Sequence, residues 1–387
     1  MRSSIRLGTA ATAGVLLTVA ACSSPRDAAE ADSAGGGSAM AKMDSTGDAT
    51  MDGEVSTTAQ PPNAPQQAVL TALAGLGGKP IETLTPAEAR KQPTPTDAVN
   101  AVLKQQGKDT TPTALVPGIT SVDRSIRGAA GNIPARIYTP EGAGPFPVIV
   151  YYHGGGWVIG SKEVYDGGAR GLAKAANAVV ISSDYRLAPA NKFPAQHDDA
   201  LAAYRWAVQN AASIKGDTSR MALAGESAGG NLAVATAVAV RDAGNLPAPK
   251  HVISVYPIAQ NDTTTMSYNT YANAKPLSRP MMSWFAKHTI RTDADLKDPR
   301  INLVGANLRG LPPVTIINAE IDPLRDDGMM LERALREAGV QVERRKYDVV
   351  AHEFFGQAAV VDQAKEAQQY AGERLKASLG GAQTSAR

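Results

Sequence analysis

From residue 119 onward the chain alternates short apolar runs with longer stretches whose apolar residues recur at helical spacing. Strands are expected at 119–127, 134–139, 148–153, 178–184, 220–224, 251–256, 314–319 and 342–347. The inner runs, among them VIVYYH, VVISSD, VISVY and VTIINA, are apolar almost throughout, as strands covered on both faces must be. Helices are expected at 168–176, 198–210, 227–242, 327–338 and 361–379. No helical pattern separates the first two strands, so they should form an antiparallel pair. The later alternation predicts an α/β architecture: an eight-stranded, mostly parallel sheet with helices on both faces.

Two regions depart from that rhythm. Residues 258–312 are too long for a simple connection, and the helix expected at 280–290 carries Met281, Met282, Trp284 and Phe285. Before the first strand, Val69, Leu70 and Leu73 form a helical stripe, Thr85 is placed to cap a helix at 86–90, and a third helix is expected at 96–105. Both regions, about 68–115 and 258–312, are expected to form a helical cap on one domain spanning 68–387. Residues 22–67 are rich in Ala, Gly, Ser, Asp and Thr, with Gly35, Gly36 and Gly37 in the middle and Pro61, Pro62 and Pro65 near the end. A segment so poor in bulky apolar residues cannot offset its ordering entropy and is expected to be a disordered tether.

Composition narrows the classes of function. The 39 basic and 37 acidic residues give a net charge of +2 with no basic cluster, which argues against nucleic-acid binding. A single cysteine, Cys22, excludes an intrachain disulfide and a cysteine-based metal site. Its setting is informative: Arg2 and Arg6 begin the chain, an apolar stretch follows, and small residues precede Cys22. A short apolar core after a basic start reads as a secretory signal. The segment resembles a bacterial lipoprotein signal, which implies that residues 1–21 are removed and that Cys22 carries the lipid. The protein would then be membrane-anchored on the extracytoplasmic side of a bacterial cell envelope. An ordinary cleaved signal with an incidental cysteine is the other reading.

Four sequence features carry chemistry. Gly225-Glu226-Ser227-Ala228-Gly229 follows an expected strand and opens an expected helix, the setting of a nucleophile held on a tight turn. His153-Gly154-Gly155-Gly156-Trp157 follows the strand VIVYY, and consecutive glycines let backbone amides point into a crevice, as an oxyanion hole requires. Asp322, just past VTIINA, and His352, beyond VERRKY, stand in loops at the carboxyl ends of strands, where they can converge on Ser227. Ser227 is therefore the expected nucleophile, His352 its base and Asp322 the acid that orients the base. Activity is expected to fall below about pH 6, because a protonated histidine cannot act as a base and its ordinary pKa is ~6.5. Met281, Met282, Trp284 and Phe285, with Trp157, are candidates for an apolar acyl pocket and equally for plain core.

At these residues the chain resembles the bacterial hormone-sensitive-lipase family of carboxylesterases. The likeness spans roughly residues 86–379 and includes Asp184-Tyr185-Arg186-Leu187-Ala188-Pro189, Phe193-Pro194-Ala195, Asp199, Tyr256-Pro257 and the stretch IDPLRDDG. It implies an α/β-hydrolase fold, amides of Gly155, Gly156 and Ala228 as oxyanion donors, no metal or cofactor, and short-to-medium acyl esters as substrates. It also implies that Arg186 and Asp199 brace loops rather than react. Three positions depart from the family pattern: Glu226 for Asp, Ala190 for Glu, and Glu353, directly after the base, for Gly. Catalysis on an amide or an acyl acceptor through the same triad, and a silent ligand-binding protein of this fold, are the alternatives.

Overall fold

A computed structural model describes residues 60–380. The expected signal segment, Cys22 and most of the expected tether lie outside the described residues. Order begins earlier than the apolar stripe suggests: α1 spans Ala64–Gly75, not 68 onward. The Asn63 side chain accepts the Gln66 amide and Pro65 occupies the first turn, a start signal independent of hydrophobicity. The short α2 (Pro86–Ala89) and the longer α3 (Pro95–Gln105) each open on a proline behind a reciprocal capping box, Thr85 with Glu88 and Thr94 with Asp97. A single turn, α4 (Pro112–Leu115), completes the lead-in.

The strands β1 (Ile119–Arg127) and β2 (Asn132–Pro140) form the expected antiparallel pair, with Ile126 opposite Ile133. There follow β3 (Phe146–Tyr152), α5 (Asp166–Ala176), β4 (Val179–Ser183), α6 (Ala195–Asn210), β5 (Gly216–Glu226), α7 (Ala228–Ala243) and β6 (Val252–Val255). After α8 (Met266–Thr270) and α9 (Arg279–Thr289) come β7 (Val314–Ile321), α10 (Arg325–Glu337), β8 (Val342–Ala351) and α11 (Asp362–Leu379). The eight strands lie in the order β1-β2-β4-β3-β5-β6-β7-β8. Only β2 runs against its neighbours; every pair from β4 to β8 is parallel.

Strand β3 shows why its run had to be continuously apolar. Val148, Val150 and Tyr152 enter the core shared with α6, α7 and α10, while Ile149 and Tyr151 enter the core shared with α1, α3, α5 and α11. Side chains alternate between faces with period two, so a strand walled on both sides leaves no position for a polar residue. The sheet thereby brings the ends of β3, β5, β7 and β8 to one edge of the domain, with β5 central.

Candidate active site

Ser227 sits between β5 and α7 at φ 57° and ψ −118°. An L-residue enters that region only when its surroundings enforce it. Two glycines allow the turn: a Cβ at Gly225 would collide with the Gly229 carbonyl, and one at Gly229 with the carbonyl of Tyr152. The Ser227 amide donates to Val255 O at 2.8 Å and its carbonyl accepts from Asn231 at 3.1 Å, which fixes the corner to β6 and to the helix. The helix starts at Ala228, one residue after the sequence pattern put it, because the serine itself makes the bend.

Beyond β3, Gly155 (φ +93°) and Gly156 (φ +58°) take left-handed conformations that a side chain would block: a Cβ would meet the Ile159 carbonyl at the first and the Phe285 ring at the second. The loop closes on itself, with Val158 and Ile159 donating to Gly155 O at 3.0 and 2.9 Å. The Gly155 and Gly156 amides donate to no acceptor among the described residues. The Ala228 amide, first of α7, has no acceptor within its helix by construction.

His352 Nδ1 lies 2.7 Å from Asp322 Oδ2, and Asp322 Oδ1 accepts the Leu324 amide at 2.8 Å. Both side chains are buried. Burial pulls the imidazole pKa down, but the facing Asp322 carboxylate and its hydrogen bond more than offset this, leaving His352 above its ordinary value. The expected loss of activity in acid should therefore begin somewhat higher than an unperturbed histidine implies. Ser227, His352, Gly155 and Gly156 line one cavity of about 280 Å³. The Ser227 hydroxyl makes no hydrogen bond to a described residue; such bonds commonly tighten only when substrate is in place.

A match to a family described as having the alpha/beta hydrolase fold covers residues 149–356. The chain belongs to the α/β-hydrolase family. This α/β-hydrolase is 39% identical over 264 residues to carboxylesterase NlhH of Mycobacterium tuberculosis, an alignment covering 66% of this chain and 82% of that protein. It is 32% identical over 292 residues to an ethyl acetate hydrolase of Pseudomonas putida, covering 74% and 88%. Among solved structures it resembles a thermostable esterase of Pseudomonas putida, with a TM-score of 0.73, 31% identity and coverage of 83% and 98%. An esterase of Pyrobaculum calidifontis gives a TM-score of 0.70 at 32% identity, covering 80% and 97%.

The acyl-pocket candidates of this α/β-hydrolase divide. Met281 and Phe285 line the cavity with Leu73, Ile81 and Leu277, whereas Met282, Trp284 and Trp157 do not. Helix geometry is the reason: residues four apart share a face, so Met281 and Phe285 look inward together while the residues between them look elsewhere. Met282 packs in the core, and Trp284 Nε1 donates to Leu84 O at 3.0 Å, binding α9 to the lead-in. Trp157 is buried near His197, its ring centroid 5.9 Å away. Residues from both expected cap regions line the cavity, including Ala89, Arg90, Pro93 and Pro95 from the lead-in.

Other residues prove to be braces. Buried Asp199 accepts from the Arg186 side chain at 2.7 Å and from the Arg186 and Ala129 amides at 3.0 and 2.8 Å, the bracing role expected of this pair. Asp327 stands in the first turn of α10, yet it is buried and accepts the Ala259 amide at 3.0 Å, holding the chain that leaves β6. Burial pushes its pKa up to about 7. An acid in a first helical turn looks the same in the chain whether solvated or buried, so its burial has no local signal. Glu226, beside the serine where the family pattern has Asp, is fully buried and accepts hydrogen bonds from the hydroxyls of Tyr151 and Tyr256. Glu353 occupies a backbone at φ +68°. That left-handed backbone suits the glycine that the resemblance implies after the base.

Proposed function

We propose that this chain is a serine carboxylesterase in which Ser227 is the nucleophile, His352 the base and Asp322 the orienting acid. The observation that carries this reading is the hydrogen-bonded Asp322–His352 pair opening onto the same apolar cavity as a serine on a strained strand-to-helix turn. His352 takes the Ser227 proton at Nε2 as Oγ adds to the ester carbonyl. The tetrahedral oxyanion is met by the amides of Gly155, Gly156 and Ala228, which have no acceptor among the described residues to leave. Collapse expels the alcohol, which receives the proton from His352, and leaves an acyl-enzyme. Water, deprotonated by the same imidazole, then releases the acid and restores Ser227.

The cavity volume of about 280 Å³ lies at the small end of ligand sites, which run from ~300 Å³ upward. With Leu277, Met281 and Phe285 as walls, it favours short acyl chains. The test is hydrolysis of p-nitrophenyl esters of increasing acyl length by the native protein and by Ser227→Ala. Turnover of the short esters that disappears in the variant supports the reading; unchanged turnover in Ser227→Ala refutes it.

The same reading extends to location. The basic start, apolar run and small residues before Cys22 support export and lipid anchoring through that cysteine, on the extracytoplasmic side of a bacterial envelope. Incorporation of labelled fatty acid into the native chain but not into Cys22→Ser is the expected result.

A further inference from the structure

The triad accounts for one side of the His352 ring. Its Nδ1 meets Asp322, and on the other side Glu353 Oε1 stands 3.9 Å from Nε2, the nitrogen that exchanges protons with Ser227. Glu353 is not a loose neighbour. Tyr165 donates to the same Oε1 at 2.6 Å from the segment entering α5, and the Glu353 side chain is largely shielded from solvent. Its backbone adopts φ +68°, a conformation that a side-chain-bearing residue takes only against resistance. The chain thus holds a carboxylate at a position whose backbone suits glycine, and aims it at the working nitrogen of the base.

We propose that Glu353 is a positioning residue for His352, held by Tyr165 so that the imidazole faces a carboxylate on each of its two nitrogens. No proton passes to Glu353 in the reaction. The Ser227 proton still goes to Nε2 and on to the departing alcohol, while Glu353 stabilises the imidazolium that exists between those events. The charge balance around the pair supports this. The ionisable groups facing it are Asp322 after β7, Glu226 at the end of β5, Tyr151 on β3, Tyr256 after β6 and Tyr165 before α5. Glu226 and Glu353 line a crevice of about 10 Å³, room for about one water, so two carboxylates compete there. Burial, with Glu353 beside it, pushes the Glu226 pKa up to about 8. Burial also raises Glu353, opposed by the neighbouring His352. The tyrosines are held neutral by burial.

The proposal rests on the esterase reading, and two measurements keep their failures apart. Glu353→Gln preserves an acceptor for Tyr165 and removes the charge; Glu353→Gly removes the charge and suits the backbone. In both, the acid limb of kcat/KM should move to lower pH by about one pH unit, the scale on which a charge within ~4–6 Å shifts a neighbour. The His352 imidazole, followed by NMR titration without substrate, should move in the same direction. Tyr165→Phe should give a smaller shift of the same sign. An unmoved imidazole titration in folded Glu353→Gln and Glu353→Gly overturns the proposal and leaves the esterase reading intact. A native protein without Ser227-dependent ester turnover overturns that reading, while the NMR titration still decides the role of Glu353.

Discussion

Nδ1 of His352 and Oδ2 of Asp322 are 2.7 Å apart, although 30 residues separate them in the chain. The contact fixes the imidazole tautomer, leaving Nε2 as the proton acceptor. Asp322→Asn keeps the size and removes this control. The expected consequence is a fall in kcat of roughly 10³–10⁴, by analogy with the handling of the same change in other triads, with little change in KM. Steady-state kinetics on a short p-nitrophenyl ester checks it; a loss below tenfold contradicts the assignment of Asp322.

Gly156 carries φ +58°, and a Cβ there would run into the Phe285 ring. Gly156→Ala therefore both strains the backbone and pushes α9 away, displacing an oxyanion donor. A fall in kcat of about 10²–10³ is expected, the loss typical of one donor. The fold should persist, so circular dichroism is to be recorded beside the kinetics.

Phe285 is buried and lines the cavity beside Met281 and Leu277. Phe285→Ala should shift the ratio of kcat/KM toward longer acyl chains, and should destabilise the protein by about 3–5 kcal/mol as the cavity in α9 relaxes only in part. A chain-length profile identical to that of the native protein sinks the assignment of this wall.

Five buried groups shape stability against pH. Burial holds His197 and His251 down to about 4, so they refuse protons that the unfolded chain accepts, and stability is lost as pH falls from about 6.5 to 4. Burial holds Glu226 up to about 8 and Asp327 up to about 7, so they keep protons the unfolded chain has released, and stability is lost as pH rises toward those values. The two effects oppose below pH 6.5. Above it the histidine contribution is complete and the carboxyl loss continues, joined by His352, whose raised value acts in the same direction. Stability should therefore decline from pH 6.5 to 8, and Asp327→Asn should flatten the slope. Urea midpoints at several pH values measure this, and a rising midpoint over that interval contradicts it.

Asp199 tests the distinction between bracing and chemistry. Removing it leaves the Arg186 guanidinium and the Ala129 and Arg186 amides without their acceptor. Asp199→Ala should cost about 3 kcal/mol or more, seen as a lower urea midpoint, while folded protein retains its pH profile.

The strand pattern, the helices between strands and the turn at Ser227 were all legible in the chain, because each depends on local spacing: apolar runs buried on two faces, helical periodicity, and glycines where a side chain cannot fit. That Asp322 and His352 stand just past β7 and β8 was legible for the same reason, although both strands run further than the expected 319 and 347. What required the folded molecule was every relation between distant residues. The sequence could not say that Met281 and Phe285 face the cavity while Met282 and Trp284 fill the core, since helix phase acquires meaning only against a neighbour. It could not separate buried Asp327 from a solvated helix-start acid, nor give Glu226 its two tyrosines. Glu353 shows the division most clearly: its departure from glycine was visible in the chain, but only packing brings its carboxylate beside Nε2 of His352, because that distance belongs to the side chains and not to their order.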